Sequence, residues 1–121
     1  MGWRNMFIEI SKTPIERIEE FVNHHNNWTQ FFTEEEVKKM WDDDEVPGEE
    51  LSLQVLIRKT DEGNEYWAYL GNHGGSGWTV SWSEKYFDDI KIYTSYDYKH
   101  YGDGWESWEL LSVDDYKRRL A

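Results

Sequence analysis

Cysteine is absent from this chain, which excludes disulfide staples, thiolate metal sites and a thiol nucleophile. Proline is scarce, with only Pro14 and Pro47, and each falls where a helix should start or has just stopped. No apolar run approaches the roughly 20 residues that a membrane-spanning helix needs. Met1-Gly2-Trp3-Arg4-Asn5-Met6 leads only into a short apolar stretch, unlike a secretory leader. A cytoplasmic protein with no membrane partner is expected. Bases are also few: 13 Lys and Arg stand against 25 Asp and Glu, a formal charge of −12. Such a surface repels nucleic acid and anionic lipid and attracts basic surfaces, so direct DNA or RNA binding is not expected.

Rings, by contrast, are abundant. Aromatic residues make up 17% of the chain, with eight Trp and eight Tyr. Each buried ring removes about 150–250 Å² from water, and this load separates the chain from disordered acidic proteins. Residues 1–121 read as a single domain, long enough to bury roughly two thirds of its unfolded surface in one core.

The first third reads as helical. Met6-Phe7-Ile8-Glu9-Ile10 suits a short strand. Thr13-Pro14-Ile15-Glu16 then predicts a helix with a threonine cap, proline at its first position and a glutamate three beyond the cap. Ile15, Ile18, Phe21 and Val22 form its apolar stripe, which fades in His24-His25-Asn26-Asn27. Thr33-Glu34-Glu35-Glu36 predicts a second, capped helix, with Val37, Met40 and Trp41 facing the core and an end in Asp42-Asp43-Asp44-Glu45 before Pro47-Gly48.

From Leu51 the period becomes two. Leu51, Leu53, Val55 and Ile57 alternate with polar residues, although Leu56 interrupts them. A hairpin through Asp61-Glu62-Gly63-Asn64 leads into Glu65–Leu70. Trp78, Val80 and Trp82 alternate with Thr79, Ser81 and Ser83, which predicts another strand. Ile90–Thr94 and Trp105–Leu110 read as further strands; Trp105 and Trp108, three apart, cannot both face inward from a regular strand. A short C-terminal helix starts at Ser112-Val113-Asp114-Asp115, with Val113, Tyr116 and Leu120 inward. The expected class is α+β: an antiparallel sheet of about four to six strands, two N-terminal helices and a short C-terminal helix on one face, and the remaining aromatics on the other.

Catalytic constellations are lacking. His24 and His25 would point roughly 100° apart on a helix, His73 and His100 sit in polar loops, and all four read as polar surface rather than as metal ligands. No Gly-x-Ser-x-Gly turn occurs, and Asp42-Asp43-Asp44 lacks the spacing and glycine of a calcium loop. We expect no enzyme, no metal and no cofactor. The segment Gly71–Gly77 offers a small-ligand alternative, in which Asn72, His73, Gly74, Gly75 and Ser76 would enclose a nucleotide-like molecule. It lacks the lysine ending of a phosphate-binding loop and is expected to join two strands.

Charge is distributed unevenly. From Glu34 to Glu50, nine carboxylates face two lysines, a net −7 of the chain's −12. A second acidic scatter, with Asp97 and Asp103, lies among Tyr98, Tyr101 and Trp105. Rings anchor protein interfaces and carboxylates pair there with Arg or Lys. The expected function is therefore non-enzymatic: an acidic protein that occludes a basic surface of a target, such as the face of a nucleic-acid-binding protein. Phage anti-defence inhibitors and toxin-immunity proteins share this general composition. The expected contact residues are Glu34, Glu35, Asp42, Asp43, Asp44, Glu45, Asp97, Tyr98, Tyr101, Asp103 and Trp105. Nothing in the sequence signals an oligomeric state.

Overall fold

The computed structural model describes residues 6–71, 76–94 and 108–120. Strand β1 (Met6–Glu9) is followed by helix α1 (Ile15–Asn26), a 3₁₀ turn (Trp28–Phe31) and helix α2 (Glu34–Asp42). Two long strands, β2 (Ser52–Thr60) and β3 (Gly63–Gly71), precede helix α3 (Ser76–Tyr86). Strands β4 (Tyr93–Thr94) and β5 (Trp108–Leu111) and helix α4 (Val113–Leu120) follow. All strand pairs are antiparallel, and the sheet order is β4-β1-β3-β2-β5. The α+β class, the two leading helices and the closing helix all agree with the sequence reading. No helix among the described residues is long and apolar enough to cross a membrane.

The β2–β3 hairpin carries the sheet, in register from Ser52↔Gly71 to Thr60↔Gly63. Gly63 closes its turn with a φ of 122°, a conformation that residues with a Cβ resist. Alternation then sorts the side chains. Met6, Ile8, Val55, Ile57, Ala68 and Leu70 point to the helical side, where they join Ile15, Ile18, Phe21, Met40, Trp82 and Tyr116 in the main core. Phe7, Leu56 and Trp67 are buried on the reverse face beside Tyr69 and Tyr93. Ring centroids there lie 5.3 Å apart for Phe7–Tyr69 and 5.8 Å apart for Trp67–Tyr93. Leu56, which breaks the period of two, thus belongs to the second, aromatic face.

Several expectations are corrected. Trp78–Trp82 is not a strand but lies within α3. Its inward positions are Thr79, Trp82 and Ser83, all buried, at the spacing of a helix face. Two of these are hydroxyl residues, so the helical period is invisible to hydropathy, whereas Trp78, Val80 and Trp82 imitate a period of two. The Ser83 hydroxyl is satisfied locally, 3.3 Å from the Phe87 carbonyl and 3.1 Å from that of Ile90. In α1, Pro14 rather than Thr13 occupies the cap and no side chain caps the helix. Thr13 is buried, and its N–H donates to the Glu9 carbonyl at 3.1 Å, which ties it to the end of β1. Only Tyr93 and Thr94 of the expected Ile90–Thr94 strand join the sheet, while Ile90 and Ile92 are buried in the main core. Leu120 is 64% exposed rather than inward. Trp105 lies outside the described residues.

Candidate functional site

Helix α2 has a firm start. The Glu36 N–H donates to Thr33 Oγ1 at 3.1 Å and the Thr33 N–H donates to Glu36 Oε1 at 2.8 Å, which satisfies two otherwise orphaned amides. Glu34 and Glu35 stand in the first turn, where the helix dipole favours carboxylates.

The other end of α2 is different. The Glu45 N–H donates to the Met40 carbonyl at 2.8 Å and the Asp44 N–H to the Trp41 carbonyl at 3.2 Å. That pair of bonds is a Schellman closure, which places Asp44 at the left-handed position, with a φ of 55°. Glycine is the usual residue there. Asp42, Asp43, Asp44 and Glu45 therefore surround the negative pole of the helix, where each carboxylate is disfavoured by about 0.3–1 kcal/mol. Dipole preference explains the acids at the start of α2 and fails to explain those at its end.

Bases neutralise this end only at one position among the described residues. Glu45 pairs with Lys85 at 3.5 Å. Among the described residues, Glu34, Glu35, Asp42, Asp43 and Asp44 form no ion pair, and neither do Lys38 and Lys39. Several other cations are engaged elsewhere. Arg17 grips Asp89 with two bonds of 2.9 and 2.8 Å, Lys117 meets Glu19 at 2.7 Å, and Arg119 meets Glu109 at 2.8 Å.

A layer of rings supports α2 from below. His24 packs against Phe31 at 4.4 Å, Phe87 at 5.2 Å, Tyr86 at 5.5 Å and Trp82 at 5.6 Å between ring centroids. The Trp82 indole N–H donates to His24 Nδ1 at 3.1 Å, so this nitrogen is unprotonated and the ring neutral. Burial pushes the His24 pKa down. His25 lies deeper. Asn26 is fixed by donating from Nδ2 to the Leu51 carbonyl at 2.9 Å and accepting at Oδ1 from the Leu51 N–H at 2.8 Å. Its Oδ1 is 3.2 Å from His25 Nδ1, which must therefore be the protonated nitrogen. His25 Nε2 is left to accept from the Thr79 hydroxyl at 3.4 Å. Burial lowers the His25 pKa first, and the neighbouring His24 adds to the effect. The reading of both histidines as polar surface is corrected: they form the joint between α1 and α3.

The rings continue outward. Trp28 stands 6.4 Å from Trp82 and 5.9 Å from Trp41. Trp41 is 61% exposed, against the expectation that it faces the core; Phe31 and Trp78 are 48% and 40% exposed. Depressions run along both sides of α2. One, of about 460 Å³, has Phe32, Val37 and Trp41 as its apolar lining with Glu34 and Asp42 on its walls. Another, of about 220 Å³, includes Phe32, Asp43, Glu45 and Tyr86. A third, of about 170 Å³, lies between Glu45, Trp78, Trp82 and Lys85.

Of the residues expected to contact a partner, Glu34, Glu35, Asp42, Asp43, Asp44 and Glu45 thus come together on α2 and its C-terminal turn. Asp97, Tyr98, Tyr101, Asp103 and Trp105 lie outside the described residues, as do Asn72, His73, Gly74 and Gly75 of the alternative ligand loop. Ser76 opens α3, so the glycine-rich segment joins a strand to a helix and not two strands. Among the described residues, no group of three or more His, Asp or Glu is arranged to hold a metal. Sequence reasoning missed Trp41, Phe31 and Trp78 as surface rings. A signal for Trp41 exists, because Glu34, Lys38 and Trp41 share one stripe at helical spacing, and a stripe that holds two charges faces water. No protein-family model, curated protein or solved structure matches this chain.

Proposed function

We propose that this is a non-enzymatic binding protein of the cytoplasm that occludes a basic surface of a target protein, in the manner of phage anti-defence or immunity proteins. The observation that carries this reading is the coincidence on α2 of carboxylates that form no ion pair among the described residues with the exposed Trp41 ring. Carboxylates unpaired at rest keep their field in solvent and can steer a positively charged partner into encounter. Exposed indoles then supply the apolar anchor, since rings in a desolvated centre carry most of an interface's energy. Arg and Lys on a nucleic-acid-binding face are the natural counterpart of such a surface.

The test uses the full chain, immobilised, beside its E34Q/D42N/D43N variant, with circular dichroism establishing that both are folded. The native chain should retain a basic protein that the variant does not. Its association rate should fall about tenfold or more as ionic strength rises from about 0.05 M to about 0.5 M. Equal retention by the two forms, or association indifferent to salt, would overturn the reading.

A further inference from the structure

Resting on that reading, we propose that the groove between the Trp28–Phe31 turn and α2 receives an arginine side chain of the partner, stacked on Trp41 and paired with Glu34 or Asp42. The groove has an apolar floor in Phe32 and Val37 and an exposed ring in Trp41. Glu34 and Asp42 are separated by eight positions on one helix, which sets them about 12 Å apart along its axis. Lys38, at the groove wall, pairs with neither of them among the described residues, so both carboxylates are open to an incoming cation.

The choice of guanidinium over ammonium follows from the combination of ring and carboxylate. A planar guanidinium stacks on an indole while its N–H fork still reaches a carboxylate sideways; an ammonium is more strongly hydrated and has no plane to stack. Among the described residues a guanidinium already fills such an arrangement from within. The Arg17 guanidinium lies 4.5 Å from the Phe87 ring centroid and forms its two bonds to Asp89. Among the described residues, the groove beside Trp41 offers the same two elements without an internal arginine.

The test titrates the full chain with hexa-arginine and hexa-lysine peptides at low salt, reading affinity by calorimetry and the Trp41 indole N–H by NMR. Hexa-arginine should bind about fivefold or more tightly than hexa-lysine and shift the Trp41 signal. Trp41→Ala, at a position mostly in solvent, should melt like the native chain and bind both peptides equally. Equal affinity of the native chain for the two peptides would overturn the guanidinium site while leaving the acidic docking surface in place. An arginine preference that survives Trp41→Ala would overturn it too, by placing the preference elsewhere. Binding of neither peptide would also reject the groove as a receptor, and the docking surface would then stand or fall on the capture experiment above.

Discussion

Asp44 sits in a left-handed conformation at the end of α2, with a φ of 55°, among carboxylates that the helix dipole disfavours. Aspartate tolerates this region better than most residues, yet glycine is better still. Asp44→Gly should therefore stabilise the fold by about 1 kcal/mol, seen as a higher urea midpoint, while slowing association with a basic partner. A variant no more stable than the native chain would remove the sign that fold stability is sacrificed at this position. The asymmetry of α2 was partly legible: the capping box at Thr33 and the acid run from Asp42 stand in the sequence. The left-handed turn at Asp44 does not, because it follows from where the chain must go after the helix. Trp41 was partly legible too: helical spacing sets it on the charged stripe of Glu34 and Lys38, although an apolar ring directly after Met40 reads as core and packing settles its exposure.

Between elements, the α1–α3 joint depends on two neutral histidines. Burial holds the pKa of both below the ordinary 6.5, so on acidification the unfolded chain takes up protons first. Their contribution is complete above about pH 6.5 and is lost as the pH falls through the depressed folded values. The denaturant midpoint should drop between about pH 7.5 and pH 5.5, before the carboxylates titrate. Asp89 marks a separate window. Its hydrogen bonds to Arg17 hold its pKa below the ordinary 3.8, so that contribution persists above pH 3.8 and fades only below it. A midpoint unchanged between pH 7.5 and pH 5.5 would contradict the neutral-histidine joint. The β2–β3 turn makes a sharper claim. Gly63→Ala forces a Cβ into a φ of 122°, and should lower stability by about 1–2 kcal/mol in urea titration. A substitution without effect would show that the turn relaxes freely. This hairpin was readable because turn chemistry and alternation are local; α3 was not, because its buried face is built from hydroxyls.

Across the molecule, a net charge of −12 combined with unpaired acids on α2 implies self-repulsion in the folded state. Added salt should raise the melting midpoint, since it screens repulsion between exposed charges separated by more than about 8–10 Å. D42N/D43N/D44N should melt above the native chain and respond less to salt, because it removes part of that repulsion and relieves the dipole clash. A lower melting midpoint for this variant would mean that these carboxylates support the fold and are not held in reserve for a partner.

The two leading helices, the closing helix, the hairpin and the acidic excess follow from near-neighbour physics: caps, turns, alternation and counted charge depend on residues a few positions apart. The face on which Trp41 lies, the burial of His24 and His25, and the helical state of Trp78–Trp82 depend on contacts between segments tens of residues apart. Thr79 meets His25 and Trp82 meets His24 only once α1 and α3 are docked. That long-range packing leaves a row of carboxylates beside an uncovered indole, because the core closes over Met40 and not over the residue after it.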